Sequence, residues 1–227
     1  MSYILNIETA TTNCSVSLSK NGKTLAIKED NNASYSHAEY LHVFITNLLK
    51  ECHLKPNQLS AVAVSKGPGS YTGLRIGVSS AKGFCYALDI PLISVSTLRL
   101  LAHQVKGENE GIIIPMLDAR RMEVYSCVFD MNYNLLDSVQ ANILESTSYS
   151  RLLDQNKVFF IGTGVEKTKQ LIKHENACFI SDRWPSSKDM SAISYHLFKN
   201  EIFENTTYFE PYYLKDFKVT KPKMKLK

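Results

Sequence analysis

Apolar positions along this chain keep two rhythms. Tyr3 to Glu8 form a compact apolar run, and Cys14, Val16 and Leu18 then alternate with serines, the period of a half-buried strand. Asn21-Gly22 is a favoured two-residue hairpin turn, after which Leu25 and Ile27 alternate in a third strand. The period then lengthens. Ser36 and Glu39 form a capping box, and Leu41, Phe44, Ile45, Leu48, Leu49 and Cys52 make an apolar stripe, which predicts a helix over 36–52. Ala61-Val62-Ala63-Val64-Ser65 reads as a buried strand, and Gly67-Pro68-Gly69 breaks it. A helix is expected over 72–88, and a strand over 92–95 after Pro91.

The same order recurs downstream. Residues 111–117 and 122–129 read as a hairpin around Asp118-Ala119-Arg120-Arg121, with a third strand at 135–140. A helix near 146–155, a strand at 158–162, a helix at 165–173, a strand at 177–180 and a helix at 191–203 follow. Two copies of β-β-β-α-β-α predict an α/β protein of two ribonuclease-H-like units, the architecture of actin-like ATPases and sugar kinases. The expected division is 1–100, 101–207 and a basic tail at 208–227.

The helix at 72–88 carries an unusual surface. Leu74, Val78, Ala81, Cys85 and Leu88 form its bulky stripe, a neighbouring face holds Ile76, Ser80, Gly83 and Ala87, and a third holds Gly73 and Gly77. Each helical glycine costs about 1 kcal/mol relative to alanine. Several on one helix therefore imply the close approach of another backbone, within the chain or from a partner. The bulky stripe is expected to cover the protein's own sheet and to leave the small residues to a neighbouring helix, with Leu41, Ile45 and Leu48 contributing from the first helix.

Catalytic readings of the loop before that helix fail on spacing. A phosphate-binding loop needs glycine-lysine-Ser/Thr five residues after its first glycine, where Thr72 and Leu74 stand. A dinucleotide fingerprint needs glycine at Thr72, and a nucleophile elbow on Ser70 needs glycine at Pro68 and Thr72. The plain reading is a tight strand-to-helix turn. In an actin-like ATPase, hairpins from both halves hold phosphate and a Gly-x-Gly segment holds adenosine. The corresponding segments here are Glu8-Thr9-Ala10-Thr11-Thr12, Asp118-Ala119-Arg120 and Gly162-Thr163-Gly164. The first contains no glycine to admit a phosphate. Thr9, Thr11, Arg120, Gly162 and Gly164 are at most residual nucleotide contacts, and Gly162-Thr163-Gly164 is expected to be a structural turn.

Metal chemistry has little support either. Glu8 and Asp118 have only Asp30 and Asp89 as candidate companions for a nuclease metal pair. His37 and His42 lie about 140° apart around a helix and do not face one site. His37 reads as a first-turn surface residue, and no metal ligand is assigned.

Composition narrows the class. At 227 residues, 44% apolar and 21% charged, the chain has the balance of an ordinary globular protein. Five scattered cysteines without a C-x-x-C pair read as core residues of a reducing cytoplasm. The N-terminus enters a strand without a basic leader, and no apolar run approaches membrane-spanning length, so a cytoplasmic protein is expected. Residues 214–227 hold six lysines and one aspartate, a balance of +5, so residues 1–213 carry −1 of the net +4. Such a tail is more often a solvated segment than a functional one, although it can add nonspecific affinity for RNA. Two readings stay open: an actin-like enzyme with a cryptic site, or a relative that works by association, which degenerate hairpins and a glycine-faced helix favour.

Particular segments resemble the TsaB (YeaZ) family. They are Ile4-Leu5-Asn6-Ile7-Glu8-Thr9-Ala10-Thr11 with Cys14-Ser15-Val16, His37-Ala38-Glu39-Tyr40-Leu41, the stretch 67–83, Asp118-Ala119-Arg120 with Glu123-Val124-Tyr125, and Glu210-Pro211-Tyr212-Tyr213-Leu214-Lys215. Glu8 stands where aspartate is usual, and residues 137–188 match weakly. The resemblance implies a scaffold without a catalytic residue or cofactor of its own. It would bind a catalytic TsaD-like paralogue through the first two helices of each and support threonylcarbamoyl transfer to adenosine 37 of tRNA, with a TsaE-like ATPase as further partner. The older label, glycoprotease-like, implies a hydrolase, against which the failed nucleophile and metal searches weigh. Whether the isolated chain forms a homodimer through the same helices stays open, as does whether ADP or ATP binds its own cleft or only the interface with TsaD.

Overall fold

The structure, a computed structural model, describes residues 1–31 and 37–215. Its first half runs β1 (Tyr3–Glu8), β2 (Cys14–Lys20), β3 (Lys23–Asp30), α1 (His37–Glu51), β4 (Ala61–Gly67), α2 (Tyr71–Leu88), β5 (Leu92–Ser96) and α3 (Thr97–Ala102). The second runs β6 (Ile112–Asp118), β7 (Glu123–Asp130), β8 (Leu135–Ile143), α4 (Ser150–Leu153), β9 (Val158–Ile161), α5 (Val165–Leu171), β10 (Ala177–Ile180) and α6 (Ser191–Lys199).

The two halves build the same sheet. In the first the order is β3-β2-β1-β4-β5, with β1–β2 and β2–β3 antiparallel and β1–β4 and β4–β5 parallel. In the second it is β10-β9-β6-β7-β8, with β6–β7 and β7–β8 antiparallel and β6–β9 and β9–β10 parallel. A meander feeding two parallel crossovers is the ribonuclease-H-like unit, and its repetition is the actin-like architecture that the alternating and helical periods predicted.

On one face of the first sheet, α1 and α2 bury Leu41, Ile45, Leu48, Val78, Ala81 and Cys85 against Leu5, Ile7, Val16 and Val64. On the other face Ile4, Ala61, Ala63, Ile93 and Val95 meet Leu100 of α3 and Met190 and Ile193 at the start of α6. From the same α3, Leu98, Leu101 and Ala102 point into the second unit against Ile113, Phe129 and Phe159. A division between residues 100 and 101 therefore falls inside a helix shared by both units, and α6 of the second half covers the first sheet. The expected boundaries describe the order of the chain but not its packing.

Several elements differ from expectation for local reasons. The sequence pattern does not reveal α3, because five of its six residues are buried and no polar face marks it. Helices expected over 146–155 and 191–203 are shorter, at Ser150–Leu153 and Ser191–Lys199. Ser36, the expected cap of α1, lies outside the described residues, as does 216–227 of the expected tail. Residues 208–215 lie against the body of the protein. Lys82 Nζ donates to the carbonyls of Thr207 (3.2 Å) and Phe209 (3.0 Å), and the Tyr212 amide donates to Lys66 O (2.7 Å).

Candidate functional site

Three places were expected to carry function: the β1–β2 turn, the β6–β7 turn with the segment behind it, and the surface of α1 and α2. At the first, the turn is locked beneath the loop that opens α2. Thr9 Oγ1 donates to Gly73 O at 2.7 Å, and the Ser70 amide donates to Ala10 O at 2.7 Å. Ser70 Oγ accepts from the Gly73 amide at 3.3 Å, so the hydroxyl caps α2. A Cβ on Gly73 would sit 2.1 Å from Thr9 O, and one on Gly77 would sit 2.3 Å from Thr9 Oγ1. These glycines admit the protein's own turn, and a partner cannot reach them. Their expected place in a partner interface is thereby corrected, and Thr9, fully buried with its hydroxyl committed to α2, is corrected as a nucleotide contact.

His37 is corrected as well. Its ring is buried at the start of α1, with Nε2 2.7 Å from the carbonyl oxygen of Thr11. Burial pushes its pKa down, partly offset by the Thr11 carbonyl. Thr11 is buried too, and its Oγ1 accepts from the Asn13 amide at 3.3 Å. Behind the turn, burial pushes the Glu8 carboxyl up to about 7, against the pull of the Ala10 amide bonded to its Oε1 at 2.6 Å.

The second turn is closed by a lysine that sequence reasoning passed over. Lys167 Nζ donates to Asp118 Oδ1 (2.8 Å), Arg121 O (2.9 Å) and Glu123 O (2.8 Å). Asp118 also accepts from the Arg120 amide at 2.6 Å and donates its own amide to Thr163 Oγ1 at 3.0 Å. The carbonyls and carboxylate of the turn thus take up a cation from α5, and Arg120 is exposed. The available signal was position: Lys167 stands in the first turn of the helix that follows Gly162-Thr163-Gly164. Those glycines serve packing. A Cβ on Gly162, at φ +115°, would meet Met116 O at 2.4 Å, and one on Gly164 would meet Val124 Cγ1 at 2.8 Å. Among the described residues no group of three or more His, Cys, Asp or Glu is placed to hold a metal ion.

The α1–α2 surface separates into two parts. Leu41, Ile45 and Leu48 are 0, 2 and 0% exposed, so the expected interface residues of α1 belong to the core. Turning each outward would forfeit about 1.5–3 kcal/mol, which decides their side. Exposed instead are Tyr40, Val43 (51%) and Tyr86 (87%), with Phe44 and Phe84 half-buried among them. Tyr40 stacks on Phe44 at 5.7 Å and His42 on Phe84 at 6.4 Å. On α2, Gly83 and Ala87 are exposed, Ile76 and Ser80 are half-buried, and a Cβ on Gly83 would meet nothing within 4 Å. Ser80 Oγ lies 3.2 Å from His42 Nε2, joining the two helices at the surface. The structure thus brings Ile76, Ser80, Gly83 and Ala87 together with aromatic side chains of α1 on an apolar face, the kind of patch that marks an interaction site.

Comparison with known proteins bears on the family and the fold. The family model described as TsaD, tRNA N6-adenosine threonylcarbamoyltransferase, matches residues 30–224. The tRNA threonylcarbamoyladenosine biosynthesis protein TsaB of Bacillus subtilis strain 168 is 38% identical over 133 residues, 57% of each chain. The protein of the same name from Buchnera aphidicola subsp. Baizongia pistaciae is 32% identical over 194 residues, 82% of this chain and 85% of that one. The solved structure of YeaZ from Pseudomonas aeruginosa superposes with a TM-score of 0.83 at 25% identity, covering 94% of this chain and all of that one.

Proposed function

Because this chain belongs to the TsaB (YeaZ) family, we propose that it is the non-catalytic subunit that a TsaD-like threonylcarbamoyltransferase requires to modify adenosine 37 of tRNA. The observation that carries this reading is the outer face of α1 and α2. It is apolar, it is open at Gly83, and it joins two helices already fixed to the sheet by their opposite faces. A paralogue with the same two helices can lay them against it, since helices approach to about 8–10 Å only where the intervening side chains are small. The two hairpins favour association over chemistry, because each is filled by the chain's own groups. A TsaE-like ATPase and tRNA join through the TsaD-like partner, ADP or ATP binds at that interface, and the free chain pairs with a second copy through the same face.

Co-expression with the TsaD-like paralogue tests the reading. Gly83→Leu and Ser80→Trp should keep the melting temperature within a few degrees of the parent while abolishing co-purification and tRNA modification. Retained partner binding in both variants would overturn it. So would turnover of ATP or peptide by the purified chain alone that Glu8→Ala or Asp118→Ala removes.

A further inference from the structure

The second sheet ends on β8, which among the described residues pairs only with β7. Ile143 stands opposite Glu123, whose amide donates to Arg120 O (3.2 Å) and whose carbonyl accepts from the Ala119 amide (3.0 Å). Both backbone groups of Glu123 are thus spent on the turn from β6. The next pair closes through the Leu144 amide on Met122 O at 2.7 Å. Bonded and non-bonded pairs alternate along an antiparallel ladder, so Ile143 and Ala141 turn their amides and carbonyls outward. Among the described residues nothing takes them up.

The side chains of this edge are as bare as its backbone. Leu135 and Leu136 are exposed at one end and Ile143 (70%) at the other, with Met122 exposed beside Glu123. Natural sheet edges are blunted by lysine, proline, charge or cover. Leu-Leu-Asp-Ser-Val-Gln-Ala-Asn-Ile has no lysine or proline, and its one charge, Asp137, lies with the irregular pairing away from Gln140–Ile143. Residues 130–150 hold three acids, Asp130, Asp137 and Glu145, and no lysine, arginine or histidine.

A complementary segment starts beside this edge. Lys215 Nζ bonds to the Glu123 carboxylate, opposite Ile143. Residues 216–227, which follow outside the described residues, read Asp-Phe-Lys-Val-Thr-Lys-Pro-Lys-Met-Lys-Leu-Lys. Phe217 and Val219 alternate with Lys218 and Thr220, the period of a strand. Two spacings of about 4.8 Å separate β7 from the position beyond β8. Residues 216 and 217 span about 7 Å, and the Lys215 side chain covers the rest.

We propose that the chain's own C-terminal segment covers this edge, with residues 217–221 pairing antiparallel to Val139–Ile143. Phe217 and Val219 then shield the apolar end, and Pro222, which has no amide to donate, ends the pairing. Beyond it Lys223, Lys225 and Lys227 run toward Asp137 and Asp130. The new edge carries lysine and proline, the residues that keep an outer strand from recruiting another chain.

Residue-resolved hydrogen exchange by NMR on the full chain tests this. The outward amides of Ala141 and Ile143 should exchange about tenfold or more slowly than in the Phe217→Asp/Val219→Asp variant or a chain ending at Lys215. The Asn142 amide, bonded inward to β7, should be unchanged, which shows that the sheet itself is intact. Cross-strand nuclear Overhauser contacts should join 217–221 to 139–143 in the parent alone. Equal exchange of Ala141 and Ile143 in parent and variants, or absence of those contacts, would overturn the proposal. So would protection that rises with protein concentration, which would give the edge to a second copy.

Discussion

Glu8 sits at the end of β1 under the loop that opens α2, and its ionisation leaves a mark on stability. When unfolded, its carboxyl releases a proton near 4.5, whereas in the folded chain burial holds it to about 7. The folded state therefore binds the extra proton between those values, and stability contributed by the neutral carboxyl is lost as pH rises from 4.5 to 7. Replacing Glu8 by glutamine keeps a neutral acceptor for the Ala10 amide. Its advantage over the parent should grow by about 1.4 kcal/mol per pH unit across that window and then level off, as read by urea unfolding at matched pH. His103, pushed down to about 4 by burial and then by Arg99 and Lys106, slopes the other way, and cancels when variant and parent are compared at each pH. Glycines give a second residue-scale contrast. Gly73→Ala forces a backbone carbonyl aside and should cost about 1–3 kcal/mol or more, whereas Gly83→Ala meets open space and should be neutral or stabilising by up to about 1 kcal/mol in thermal melts. At this scale the sequence was least legible. Periodicity marks Gly73, Gly77 and Gly83 alike, because only the partner across the helix distinguishes a glycine under Thr9 from one facing solvent. Leu41, Ile45 and Leu48 define a stripe without saying whether a sheet or another protein lies beyond it.

Among the elements, long helices were readable because each has one wet face, and strands because of their residue pattern. The half-buried β2 that alternation predicts is nevertheless buried on both faces, with Ser15, Ser17 and Ser19 bonded inside the protein. Alternating serines beside Cys14, Val16 and Leu18 disclosed β2, and the heavier stripe of α2 does cover the sheet. The short α3, buried at five of its six positions, gave no such contrast. Nor did composition reveal that the stretch from Glu204 to Lys215 is a strap. It bridges Leu92, takes the Lys82 ammonium on two carbonyls, sets Tyr213 on Tyr71 at 5.0 Å and brings Lys215 to Glu123 of the second unit. The expected division counted 208–215 with the basic tail, five of whose six lysines lie beyond them, while aromatic residues carry the attachment. Phe209 packs on the first core, so Phe209→Ala should destabilise by about 1–3 kcal/mol, whereas Lys215→Gln should change stability by less than about 1 kcal/mol, both by chemical denaturation.

The repeat was visible across the whole molecule as a succession of elements, but the way the two units are sewn together was not, since no pattern within α6 states which sheet it will meet. Its arrival on the first sheet has a consequence in time. The face formed by Ile4, Ala61, Ala63, Ile93 and Val95 is complete once β5 has been made, yet Met190 and Ile193 lie about 95 residues further on. At about 5–20 residues per second, a growing chain shows that face without its Met190 and Ile193 cover for roughly 5–20 seconds. Ribosome-bound chains stalled near residue 130 should therefore recruit hydrophobic-surface chaperones, and full chains released from the ribosome should shed them. The first unit is made first and finished last.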